Sequence, residues 1–130
     1  MDTSVIDFAD PPKETRKRRL RDLPGRVDEG DPQQITDIHY DDNGLLAGVW
    51  TSTPGRWRAF TDRDEFCSIL SGQCRLISED GTVKEFRAGD AFLIPDGFRG
   101  WWEVVTTTTK RFVIRDRSGM RDASTSSSTS

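Results

Sequence analysis

His39, Cys67 and Cys74 are the first side chains to weigh for chemistry, and their number limits what they can do. His39 is the only histidine and the two cysteines are the only thiols. A lone imidazole within a strand reads as a hydrogen-bonded structural residue before it reads as a base or ligand. A nucleophilic thiol needs a positive neighbour or a base to become thiolate. No histidine stands near Cys67 in the sequence, so both cysteines read as packed thiols, unbridged in a reducing cell. The other conspicuous cluster is basic, KETRKRRLR at residues 13–21. Such a run can contact phosphates. No aromatic residue interleaves with it, so it reads as a solvated linker, and no nucleic-acid partner is expected.

The elements that must position any site are short strands. Residues 65–100 set the rhythm: β-formers up to Gly72, a second strand, a turn at Glu79-Asp80-Gly81, and a third strand to Gly89-Asp90. A fourth then runs into Pro95-Asp96-Gly97. Short strands with regularly spaced turn residues predict an all-β barrel or sandwich with little or no helix. Upstream, residues 35–40 and 45–51 flank Asp41-Asp42-Asn43-Gly44 and predict a hairpin. Residues 56–61 read as a strand, with Trp57, Ala59 and Thr61 on one face. Glu65, Cys67 and Ile69 share a face by the same alternation. Trp101–Val105 and Lys110–Ile114 read as two last strands, with Phe112 and Ile114 on one side. The adjacent pairs Ile69-Leu70, Leu76-Ile77 and Leu93-Ile94 read as strands covered on both faces. Residues 5–8 predict a brief strand able to join a sheet edge.

Composition divides the chain into an extended N-terminal arm and linker (1–29), a folded unit (30–117) and a Ser/Thr tail (118–130). The tail is too poor in apolar residues to order. The net charge of −3 is mild and mixed in sign, and no apolar run spans a bilayer. No basic start followed by an apolar block opens the chain. The expectation is a cytoplasmic protein with no membrane partner.

Two half-motifs then resemble a family. Glu65 and Gly72 fit the E-x6-G half of the first cupin motif, opened by Gly55. Gly89, Pro95 and Gly97 fit the G-x5-P-x-G half of the second. The wording DEFCSILSG and GDAFLIPDGFRGWWEV is similar to a metal-poor subgroup related to the ethanolamine-utilisation cupin and to ureidoglycine aminohydrolase. The resemblance covers about residues 30–115 and implies the double-stranded β-helix, or jelly-roll barrel. The departures bear on function. Where the family's metal-binding members carry three histidines and an asparagine, this chain has Ala59, Thr61, Gly100 and Val104. Only Glu65 of the four ligands is kept, and one carboxylate does not hold a metal that favours imidazole. No metal and no cofactor are expected.

The resemblance places Glu65 at the barrel mouth, among Trp57, Cys67 and Trp102, with Trp50 and Tyr40 near and Arg56, Arg58 or Arg99 able to reach the rim. Two of the four tryptophans are expected in the core and two at the pocket or an interface. An aromatic-walled pocket with one acid fits a small polar metabolite. The first reading is therefore a metal-free cupin that binds such a ligand. The resemblance and the small core imply a homodimer. The second reading is a small hydrolase or isomerase with Glu65 as catalytic acid/base. The third is a structural or regulatory interaction protein using the basic segment.

Overall fold

The computed structural model describes residues 3–117. The strands are β1 (Glu14–Arg19), β2 (Val27–Gly30), β3 (Gln33–Asp42), β4 (Leu45–Ser52), β5 (Gly55–Arg58), β6 (Arg63–Ser78), β7 (Val83–Arg87), β8 (Ala91–Ile94) and β9 (Gly100–Asp116). A single 3-10 turn, Leu20–Asp22, is the only helical element among the described residues. None of the described residues forms a helix long and apolar enough to cross a membrane. The expected Ser/Thr tail, 118–130, lies outside the described residues.

All strands join one antiparallel sheet that curls on itself. Its spine is the pair β6 and β9, which runs from Arg63–Asp116 to Ser78–Gly100. Beyond β9, β4 pairs with its second half and β5 with its first half. Beyond β6, β8 and β7 do the same. The architecture is the expected all-β cupin barrel.

Two strand ends read from the sequence are bends instead. The expected stop at Gly72 and the polar break at 106–109 both fall inside continuous strands. The two features face each other. The β6–β9 register shifts between Ile69 and Cys74, opposite the part of β9 that holds Thr106 and Thr109. Gly72 sits there at φ +91, and a Cβ on it would meet the Thr107 carbonyl oxygen at 2.2 Å. Only glycine tolerates both the left-handed backbone and that approach. Bulges of this kind bend a strand without ending it. They also reset the side-chain parity: Glu65, Cys67 and Ile69 are buried before the bend, Cys74 and Leu76 after it.

The hairpin β3–β4 turns at Asn43-Gly44, with φ of 51° and 86°, as its sequence predicts. A register shift between Ile38 and Tyr40 interrupts β3. Ile38 faces inward, but Tyr40 pairs with Ala47, on the opposite face from Leu46 and Trp50, which line the interior. Simple alternation would place Tyr40 inside; the bulge at His39 turns it outward. His39 is buried and stacks on Phe8, ring centroids 4.7 Å apart. The expected strand at 5–8 is absent: Val5 is 94% exposed, and residues 7–10 form a turn closed by Asp7.

The basic run is not a solvated linker. Glu14–Arg19 pairs along β3 as an edge strand, and Leu20 is fully buried in the core. Exposed edge strands carry charge and little apolar pattern, so this one is hard to see in the sequence. Beyond it, Val27–Gly30 pairs with β5. Parts of the expected arm are thus barrel wall.

The core gathers Leu20, Trp57, Cys67, Ile69, Cys74, Leu76, Ile94, Trp102 and Val104. The adjacent aliphatic pairs divide: Ile69 and Ile94 are buried, while Leu70 and Leu93 are exposed. The outer face of β6 and β8 is therefore bare within one chain.

Candidate functional site

One end of the barrel opens into a cavity of about 750 Å³. Strand alternation delivers its walls. Inward positions of β4 give Leu46 and Trp50; β9 gives Trp102, Lys110, Phe112 and Ile114; β6 gives Arg63 and Glu65. Trp57 on β5 pairs with Trp102 across the register, and their indoles stack at 6.3 Å and 12°. Trp50 leans on Trp102 at 5.5 Å.

An ion pair lies beneath Trp50 and Trp102. Lys110 Nζ donates to Glu65 Oε2 at 2.6 Å, and the two side chains are 4% and 11% exposed. The register explains the reach. Glu65 pairs with Ile114, Cys67 with Phe112 and Ile69 with Lys110, so Lys110 points inward two rungs from Glu65. Its alkyl chain leans along the sheet past Cys67, whose Sγ is 3.7 Å from Nζ. The ammonium also lies 4.2 Å from the ring centroids of both Trp50 and Trp102. Such contacts favour the charged form, most strongly where water is excluded.

Burial works against the Lys110 charge, but the Cys67 sulfur and the Glu65 carboxylate outweigh it and hold its pKa above the ordinary lysine value. The carboxylate is the effective charge. Burial pushes the Cys67 thiol far up, so at neutral pH it is uncharged. Burial likewise pushes Cys74 up to about 11. Both cysteines are free and buried. Cys67 has a positive neighbour in Lys110, but burial outweighs it and keeps the thiol protonated, and neither cysteine is exposed as a reactive thiol must be.

Of the residues singled out in the sequence, Trp50, Trp57, Glu65 and Trp102 meet at the cavity. Cys67 lies behind the wall, in contact with the ion pair. Tyr40 is turned to the outer face by the bulge. Arg99 is exposed in the loop between β8 and β9, its carbonyl accepting from the Glu79 amide, and does not line the cavity. Two tryptophans, Trp57 and Trp102, are core residues as expected and also border the cavity with Trp50, while Trp101 sits outside beneath the guanidiniums of Arg56 and Arg58. Lys110 is the residue that sequence reasoning missed. Its signal was the alternation Lys110, Phe112, Ile114, which places the lysine on the inward side with the two apolar residues.

The donor set does not fit the cupin metal. Ala59 brings no donor to the cavity wall, and Thr61 is exposed. A Cβ on Gly100 would meet the Ile77 carbonyl oxygen at 2.0 Å, so that position holds no side chain. The retained Glu65 is bound by an ammonium. Among the described residues no three His, Cys, Asp or Glu side chains group closely enough to hold a metal ion.

Comparison with known proteins agrees with the barrel. None of the curated proteins matches the chain. Among solved structures, a putative ethanolamine utilization protein Q from Salmonella typhimurium aligns with a TM-score of 0.58 at 18% identity, over 68% of this chain and 72% of that one. The Clostridium difficile EutQ protein aligns at 0.60 and 15%, over 70% and 69%. A DUF861-family protein of unknown function from Pseudomonas syringae pv. tomato reaches 0.65 and 20%, over 86% of this chain but 45% of its own length. These likenesses concern the fold. The family model for EutQ-like cupin domains matches residues 41–112, more than half of the sequence, and the chain belongs to that family.

Proposed function

We propose that the barrel binds a small polar metabolite without a metal, in the cavity floored by Glu65 and Lys110. The observation that carries this reading is the buried ion pair beneath the indoles of Trp50 and Trp102. Two charges taken out of water cost several kcal/mol each, and apolar residues of similar size are often as stable or more so. A pair kept at the wall of a 750 Å³ cavity is better explained by recognition than by stability. The ammonium donates to a ligand oxygen, the carboxylate accepts from a ligand hydroxyl or amine, and the indoles cover a flat or aliphatic part. Glu65 Oε2 is already engaged by Lys110 Nζ, so the carboxylate enters the site as half of an ion pair rather than as a lone acid. Binding therefore ranks ahead of acid/base turnover.

Native and denaturing mass spectrometry of untagged protein tests this first. An organic adduct present natively and lost on denaturation is the expected result. A stoichiometric transition metal in the native species overturns the metal-free reading. A second arm titrates small hydroxy- and amino-compounds while following tryptophan emission. If no compound gives a saturable change and no adduct is found, the binding reading fails.

The same reading includes a homodimer. It is supported by an outward apolar row, in register across three strands: Leu93 on β8, Phe66 on β6 and Val113 on β9, which are 60%, 45% and 39% exposed. A second copy of the chain is the occupant this row fits, since the adjacent aliphatic pairs read as strands covered on both faces.

A further inference from the structure

The mouth of the cavity carries arginines that the barrel floor does not explain. Phe60 lines the cavity, and three guanidiniums surround its ring: Arg26 at 4.0 Å from the centroid, Arg18 and Arg63 each at 5.2 Å. They come from three separate elements, β1, the segment before β2 and the start of β6. Arg18 and Arg63 line the cavity itself. None of the three takes part in the ion pairs among the described residues. Arg26 spends one nitrogen on the carbonyls of Arg58 and Ala59, at 3.0 and 3.3 Å. Arg63 Nε is buried with no hydrogen-bond partner. The acids on the same cavity wall, besides Glu65, are Asp41, which Arg16 holds at 3.3 Å, and Asp116.

Three like charges on one ring repel each other. Burial, and then the neighbouring Arg63 and Arg26, hold the Arg18 guanidinium below its ordinary range. Burial, then Arg63 and Arg58, do the same to Arg26. An arrangement that costs the free protein in this way is relieved by an anion. A planar guanidinium offers two parallel donors to a carboxylate or phosphate, and this fork is the usual reason for choosing arginine over lysine.

We infer that the cavity takes an anionic metabolite, whose carboxylate or phosphate is seated by Arg18 and Arg63 beside Phe60 while its polar end reaches Glu65 and Lys110. This rests on the reading that the barrel binds a small metabolite. It narrows the ligand to compounds with an oxyanion at one end and a hydroxyl, amine or carbonyl at the other. Arg26 keeps the cluster positive from behind the ring.

The test uses the full chain labelled with ¹⁵N. The arginine Nε–H and tryptophan Nε1–H signals are followed while sodium phosphate or sodium succinate is added, with ionic strength held constant by sodium chloride. The expected result is a saturable movement of the Arg18 and Arg63 signals. Arg63→Gln should weaken binding by about tenfold, the loss expected for one charge-assisted contact. If Arg63→Gln does not fold, Arg63→Lys, which keeps the charge and removes the fork, takes its place. Movement with phosphate alone assigns a phosphorylated ligand, movement with succinate alone a carboxylate, and movement with both a general oxyanion seat. The inference is overturned if chloride alone moves the signals equally, if neither anion saturates, or if the arginine variants bind like the wild type. A compound that moves the indole signals but not the arginine signals sinks this inference and leaves the barrel reading standing. Arginine signals that saturate with an anion while no compound moves the indoles show an oxyanion seat outside the cavity and overturn both readings.

Discussion

Lys110 Nζ sits 2.6 Å from Glu65 Oε2, across a sequence separation of 45 residues, with both side chains inside the barrel. The one acid of the family's metal-binding motif is thus matched by an amine on β9. A positive group is kept beside the carboxylate, supplied by the chain itself.

Removing one partner leaves the other charge buried alone. Lys110→Met should lower unfolding free energy by about 3–5 kcal/mol, and Glu65→Leu by a similar amount. The double variant should recover most of the loss, because no uncompensated charge remains. Urea unfolding of the four proteins measures the coupling, and single losses that simply add would disprove the pairing. Because the Lys110 pKa is raised in the folded state, its contribution is complete below the ordinary 10.5 and fades as pH climbs past that value.

Asp64 gives the acid-side counterpart. Its carboxylate accepts from the Asp96 amide at 2.9 Å and from the guanidiniums of Arg117 and Arg115. The Asp96 amide and the arginines lower its pKa from 3.8 to about 2. A depressed carboxylate stabilises the folded state above its unfolded pKa, and that share is lost as pH falls through the folded value. Wild-type stability should therefore drop between about pH 4 and 2 relative to Asp64→Asn, with a constant gap above about pH 5. Thermal melts of both proteins from acid to neutral pH give the comparison; parallel curves throughout would rule out this role.

The outward row at Phe66, Leu93 and Val113 predicts a dimer that charge can split. Light scattering after gel filtration should report twice the chain mass for the wild type and one chain mass for Phe66→Glu. Both substituted and neighbouring positions are exposed in one chain, so the folded monomer should survive the change. A wild type that runs as a monomer at high concentration removes the basis for this interface.

The all-β fold could be read from turn spacing, and the cupin likeness from Glu65, Gly72, Gly89, Pro95 and Gly97, because turns and corners are local and leave local marks. The departures from the family's ligand residues were also legible in the sequence: three ligand positions hold residues with no imidazole, and the chain's one histidine lies elsewhere, at His39. Trp50, Trp57, Trp102 and Glu65 reach the cavity through alternation along their own strands. Tyr40 does not, because one extra residue at His39 reverses the alternation, and a bulge depends on the partner strand. The continuity of β6 and β9 was hidden for the same reason, since Gly72 is a strand end by local rules and a bend only beside Thr107 and Thr108. The pairing of Lys110 with Glu65 and the gathering of Arg18, Arg26 and Arg63 on Phe60 belong to the tertiary structure alone. Each joins residues from different elements, and the physical cause is the register of the curled sheet, which decides which charges share an interior.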